Sequence, residues 1–207
     1  MLQNPAFAST DRSELRRLVE VYPWATLVTS TDSGLAASHY PVLWEQAGDD
    51  ELTLVTHLGR PDEKNHRLDG SDVLVIVQGP HGYVSTRWYP EGQFVPTWNH
   101  VTAHLTCRPV VLSPEENYAV LCRLVEHFEG ADEGARLLPA YDESARAVAR
   151  GTVGLRLHVR GVRMLRKLSQ NKAPEVVAAV ADELDRHPFD LHAALAAEMR
   201  RALDSRD

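Results

Sequence analysis

The 207-residue sequence predicts an α+β protein, a small antiparallel barrel with peripheral helices and a helical C-terminus. Three observations carry that expectation. About six apolar or alternating strand-like segments come first, separated by turn-forming residues. Helices interrupt these strands irregularly, so a doubly wound parallel sheet fits worse. From Pro174 onward the pattern is helical only. A chain of this length buries roughly 70% of its unfolded surface, so its core needs no metal or disulfide staple. Residues 1–173 read as one domain, with 174–207 as an extension packed on it.

The elements follow in order. Asp11 is placed to cap a first helix, with Glu14 at its third position and Leu15, Leu18 and Val19 on one face. Pro23 ends that helix. "WATLVTS" reads as a buried strand, "TDSG" as a turn with Gly34 free to take positive φ, and "LAASHYPVLW" as the returning strand of a hairpin. "QAGDD" turns the chain into a third strand, "ELTLVTHL", and Pro61 opens a short helix, "PDEKNHRL". "SDVLVIVQGP" is apolar enough for a central strand, and "HGYVSTRWYPEGQ" reads as an irregular loop with a short strand. "VPTWNHVTAHLTCRPVVL" offers one long strand or two shorter ones. Ser113, Pro114 and Glu116 form a capping-box start for a helix whose inner stripe is Leu121, Leu124, Val125 and Phe128. Residues 130–150 read as helix and loop, and "GTVGLRLHVRGVRML" as the last strand. "PEVVAAVADELDRH" and "DLHAALAAEMRRAL" are amphipathic, with Asp190 placed to cap the second.

Charge and composition narrow the function. A net charge of −7 gives no global attraction to nucleic acid. The basic run Arg156, Arg160, Arg163, Arg166 and Lys167 reads first as a solvated strand face. A phosphate clamp comes second, and a DNA patch third, with no helix-turn-helix signature behind it. Cys107 and Cys122 are far apart and form no CxxC pair, which points to a reducing cytoplasm. The N-terminus lacks the apolar run of a signal peptide, and no stretch reaches the roughly 18 apolar residues of a membrane span.

No GxGxxG, P-loop, HExxH or GxSxG motif occurs, which removes the usual handles for dinucleotide, P-loop, zinc-protease and α/β-hydrolase chemistry. His100 and His104 share a strand face, and a metal would further need His39 and His57 gathered beside them. Ordinary hydrogen-bonded histidines are the preferred reading, with no metal. Trp88, Tyr89 and Trp98 are core aromatics or walls for a flat ligand. "KLSQNK" is a helix cap before Pro174, or a source of a cation, a hydroxyl and two amides for such a ligand. Composition leaves both pairs of readings open.

Taken together, "GPHGYVSTRWYPEGQFVPTWNHVTAH" and "KLSQNK" resemble the PaiB-type family of FMN-binding negative transcriptional regulators. "ASHYPV" and the "THL" around His57 resemble two further segments of that family, so the likeness runs from about Pro23 to Asn171. The resemblance implies an FMN-binding split β-barrel, similar to pyridoxamine phosphate oxidases, working as a homodimer with FMN at the subunit interface. By position it implies cofactor contacts at His39, His57, Trp98, Asn99, His104, Lys167, Ser169, Gln170 and Asn171. The segment after His57 departs from the family pattern, reading "GRPDEKNHR". There Arg60 and Lys64 are the expected phosphate partners, and Asn65 is a further polar group. DNA binding is implied by the family alone, without support from charge or motif. An FMN-dependent oxidoreductase on the same scaffold is the second expectation. A haem-handling barrel, with His104 or His158 as axial ligand, is the third.

Overall fold

The computed structural model describes residues 4–45, 51–89, 95–130, 134–187 and 190–205. Eight strands and six α-helices occur among them. The strands are β1 (Ala8–Ser9), β2 (Trp24–Thr31), β3 (Gly34–Pro41), β4 (Leu43–Trp44), β5 (Thr53–Gly59), β6 (Val73–Val84), β7 (Thr97–Val111) and β8 (Thr152–Lys167). The helices are α1 (Arg12–Val21), α2 (Arg60–Glu63), α3 (Pro114–Glu129), α4 (Asp142–Ala149), α5 (Pro174–Arg186) and α6 (Asp190–Asp204). Hydrogen bonding orders the strands β3-β2-β6-β7-β8-β5-β4, with β1 added to β8. The pairs β1–β8, β2–β3, β2–β6, β4–β5 and β5–β8 are antiparallel, with Thr26 opposite His39 in the β2–β3 hairpin and His57 opposite Gly154 between β5 and β8.

The chain divides into two compact units that share its three long strands. One, the strand unit, comprises Ser13–Val77 and His104–Val162. Its interior is made by residues at strand spacing: Leu54 and Leu58 on β5, Val75 and Val77 on β6, Leu155 and Leu157 on β8, all buried. Each such side chain contributes about 1.5–3 kcal/mol when taken out of water. A second cluster, Leu43, Val55, Leu112, Val120 and Leu124, seats α3. α3 begins with the expected capping box, Ser113 Oγ accepting from Glu116 N and Glu116 accepting from Ser113 N. The buried stripe of α3 is Asn117, Tyr118, Val120 and Leu124, and Phe128 is exposed, so the face differs from the expected one. The cause is polar. Asn117 and Tyr118 turn inward because each has a partner, Thr152 and Asp142 respectively.

The other, the helical unit, comprises the N-terminal residues through Arg12, Gln78–Ala103 and Arg163–Asp207. Here α5 and α6 pack as a hairpin, with Val180, Leu184, Leu195 and Met199 fully buried. Gly82 on β6 admits α6 closely: a Cβ there would meet the His192 ring at 2.8 Å and Leu195 at 3.0 Å. Two local expectations change: "HGYV" continues β6 as a regular strand, and the expected helix after Pro61 is a single turn. Of the two alternatives for the stretch that follows "VP", the single long strand is the one formed, Thr97–Val111. The expected "QAGDD" turn lies outside the described residues.

Candidate functional site

In the helical unit, β7 alternates: Trp98 and His100 point outward, Asn99 and Val101 inward. An amide on the buried face needs partners. Asn99 is fully buried, and its Nδ2 donates to Ser169 Oγ at 2.9 Å and approaches Met199 Sδ at 3.5 Å. Ser169 Oγ returns a bond to Asn99 Oδ1 at 3.3 Å. Ser169 is the single non-glycine residue with positive φ, at 61°, among the described residues. Such a conformation persists where its surroundings over-determine it, and here they do. Gln170 Oε1 accepts from Leu168 N at 2.8 Å, Gln170 Nε2 donates to Arg166 O, and Lys172 N donates to Ser169 O at 2.9 Å. Lys167 Nζ meets Thr97 Oγ1. The two sequence motifs therefore lock together through two side-chain pairs, Asn99–Ser169 and Thr97–Lys167. Asn171 is exposed.

The outward side of the same strands is aromatic. Trp98 is 50% exposed, stacks on His81 at 5.9 Å and 29°, and donates from Nε1 to His81 Nδ1 at 3.3 Å. Tyr83 lies tilted to it at 6.3 Å. His81 and Tyr83 escape a sequence reading that places "HGYV" in an irregular loop with a short strand. Its alternation over four residues was the available signal. Burial pushes the His100 imidazole below its ordinary value of 6.5, with Lys167 and His81 adding to the shift.

In the strand unit, His39 is exposed on β3, hydrogen-bonded to Thr26 and stacked on Trp24 at 6.4 Å. His57 on β5 is half-buried, edge-on to Tyr40 at 6.0 Å, and its Nδ1 is buried without a hydrogen-bond partner among the described residues. Burial lowers its pKa, so the ring is neutral at pH 7. His104 is half-buried on β7. No group of His, Cys, Asp and Glu among the described residues is placed to hold a metal ion.

The unusual segment after His57 builds its own network. Tyr40 Oη donates to Asp62 at 2.8 Å and accepts from Gly59 N at 3.3 Å. Asn65 donates to Asp62 at 3.1 Å, and Ser38 donates to it as well. His66, buried, sits between Ser38 Oγ and Thr29 Oγ1, at 2.9 Å from each. Since Ser38 donates to Asp62, it accepts from His66 Nε2–H, and His66 Nδ1 accepts from Thr29. These bonds, Ser38's first, hold the Asp62 carboxyl below the usual carboxylate range. Arg60 donates from Nε to Arg150 O at 2.8 Å and from Nη1 to Glu63 at 3.3 Å. Lys64 is exposed, with no ion pair to another described residue.

These residues fit a flavin. The open aromatic face around Trp98 suits a planar ring system. The unpartnered His57 Nδ1 suits a polar ring edge or a ribityl hydroxyl. Lys64 and the outer guanidinium nitrogens of Arg60 suit a phosphate.

Residues 1–161 match the family described as "Putative FMN-binding domain". The chain is 30% identical over 172 residues to "Protease synthase and sporulation protein PAI 2" of Bacillus subtilis (strain 168), covering 80% of each protein. Its fold is similar to that of the FAD and heme binding protein from Mycobacterium smegmatis, with a TM-score of 0.62 and 22% identity over 83% of this chain and 79% of that one. It is also similar to the flavocytochrome Anf3 from Azotobacter vinelandii, with a TM-score of 0.59 and 14% identity over 80% of this chain and 72% of that one. The fold is the expected α+β split β-barrel with flanking helices, and no helix among the described residues is long and apolar enough to cross a membrane. The chain belongs to the FMN-binding domain family that its residues 1–161 match, and FMN is its cofactor.

Proposed function

We propose that this protein is a PaiB-type negative transcriptional regulator that works as a cytoplasmic homodimer and reads the presence or redox state of FMN. One observation carries the reading: the motifs around Trp98 and Ser169 are locked together beneath an exposed Trp98–His81–Tyr83 face. FMN, when bound, supplies reversible hydride and electron chemistry. The chain's own residues hold and orient it. Trp98 offers the ring its face. Asn99, Ser169 and Gln170 keep the strand and turn beneath Trp98 rigid. Lys167 and Asn171 sit at that turn's polar rim, and His57 offers a neutral nitrogen to a polar edge. Arg60 and Lys64 neutralise phosphate charge, while His39 and His104 supply further polar contacts from the strand unit. Each set is assigned on the geometry of its own unit.

Regulation requires a coupling free energy between cofactor state and partner affinity. With a net charge of −7, direct DNA contact has only local basic residues to draw on. The test is a spectrum of freshly purified protein, mass identification of the molecule released on denaturation, and a promoter mobility shift with and without FMN. Released FMN and an FMN-dependent shift are expected. A colourless protein that neither quenches nor binds added FMN overturns the cofactor assignment. An FMN-independent result with every fragment and added partner overturns the regulatory one.

A further inference from the structure

A cavity of about 560 Å³ in the strand unit lies among α2, α3, α4 and the start of β8. Three arginines line it: Arg60, Arg146 and Arg150. Two of them are tied side by side. Arg60 N donates to Gly151 O at 2.9 Å, and Arg60 Nε donates to Arg150 O at 2.8 Å. Arg150 is exposed and has no ion pair to another described residue. Arg146 lies 4.1 Å from the Tyr118 ring centroid and forks to Glu115 at 2.7 Å and Asp142 at 3.0 Å. Arg60 faces Glu63. All of these pairs are substantially exposed, and exposed pairs are worth little, so a multivalent anion displaces them readily.

The cavity wall also carries an unfinished polar group. Asn117 is 4% exposed, and its Nδ2 donates to Thr152 Oγ1 at 3.0 Å, yet its buried Oδ1 has no hydrogen-bond partner among the described residues. That oxygen packs against Gly154, where a Cβ would stand 2.9 Å from it. Gly154 is the ladder partner of His57, whose Nδ1 is likewise unpartnered. The three guanidinium groups gathered around one cavity suit an anion, whereas the Asn117 oxygen, an acceptor, suits a hydroxyl or amide donor on the same ligand and not the anion itself.

We propose that this cavity binds a phosphoryl group, gripped between the guanidinium forks of Arg60 and Arg150 with Arg146 as the third cation. Two sources share that chemistry: the 5′-phosphate of FMN, or a separate small phosphorylated molecule. Only the first rests on the FMN reading.

The test is calorimetric titration of the full chain with inorganic phosphate at constant ionic strength, for wild type, Arg150→Gln and Arg150→Lys. Saturable binding is expected in wild type, with at least tenfold weakening in Arg150→Gln and an intermediate value in Arg150→Lys. Melting temperatures should be unchanged, since Arg150 is exposed. Heats that do not saturate in wild type, or equal affinities in wild type and Arg150→Gln, overturn the site. FMN and riboflavin separate the sources. If the cofactor's phosphate seats here, FMN outbinds riboflavin and Arg150→Gln erases the difference. If the anion is separate, Arg150→Gln loses phosphate while keeping both flavin affinities. Phosphate binding without flavin binding keeps the cavity and sinks the FMN reading. Flavin binding without phosphate binding does the reverse.

Discussion

Lys167–Asn171 and Arg60–Arg67 are both short polar segments hung on the end of a strand, and they handle their polar groups differently. In the first, Ser169 closes upon Asn99, Gln170 upon its own turn and Lys167 upon Thr97, which leaves Asn171 exposed. In the second, residues that depart from the family pattern, Asp62 and His66, make a chain of bonds through Ser38, Tyr40 and Thr29. That segment leaves its cations, Arg60 and Lys64, on the surface. The difference teaches that a motif's polar residues can be there to rigidify. On the proposed reading Trp98, which is exposed, meets the ligand, while the buried Asn99 ties its strand to the Ser169 turn. It also shows how a loop can lose its family sequence and still be built, provided every buried polar group finds a new partner.

If the first segment is the more tightly determined, breaking it should cost most. Asn99→Ala removes the partner of a buried hydroxyl at a left-handed residue and should lower stability by about 3 kcal/mol, read as a shift in the urea midpoint at constant slope. Equal midpoints would show that the knot contributes nothing. Gly82→Ala pushes a methyl against His192 and Leu195 in the same unit. A loss of about 2 kcal/mol is expected, with faster amide exchange in α6 as its signature. In the second segment, Tyr40→Phe removes one donor to Asp62 and one acceptor for Gly59 N, both partly exposed. About 1 kcal/mol should be lost, and a larger loss than for Asn99→Ala would reverse the ranking of the two regions.

Acid should sharpen the contrast further. His57, His66, His100 and His192 all have pKa values lowered from 6.5, burial being the first cause in each. The folded chain therefore binds fewer protons than the unfolded chain just below pH 6.5. This contribution to stability is fully present above pH 6.5 and is lost as pH falls through the depressed values. Asp62, also lowered, adds a loss of the same sign at lower pH. His66→Gln should flatten the fall in unfolding free energy between pH 6.5 and 5 relative to wild type, and an unaltered slope would show that His66 titrates normally.

Local signals were strongest where chemistry is local. The capping box at Ser113, the turn at Gly34 and the proline start of α5 need only neighbouring residues, and each stands where the sequence puts it. The stripe of α3 was misread because Asn117 and Tyr118 look like surface residues until Thr152 and Asp142 arrive from distant positions. "HGYV" falls in a segment that reads as an irregular loop with a short strand, whereas it continues β6 and its glycine is required by the approach of His192. The resemblance pointed to Asn99 and Ser169. Their bond spans 70 positions, and no spacing rule reveals such a pair. Arg150 carries no motif at all, and its place beside Arg60 depends on a contact across 90 positions.

Equilibrium dialysis of FMN against wild type and Trp98→Ala, with unfolding midpoints measured alongside, tests most directly whether the Trp98 face receives FMN. One FMN per chain in wild type, at least about tenfold weaker binding in the variant and matched midpoints are predicted, a tenfold loss being about 1.4 kcal/mol. Equal FMN affinity for the two proteins, or none in wild type, would contradict it.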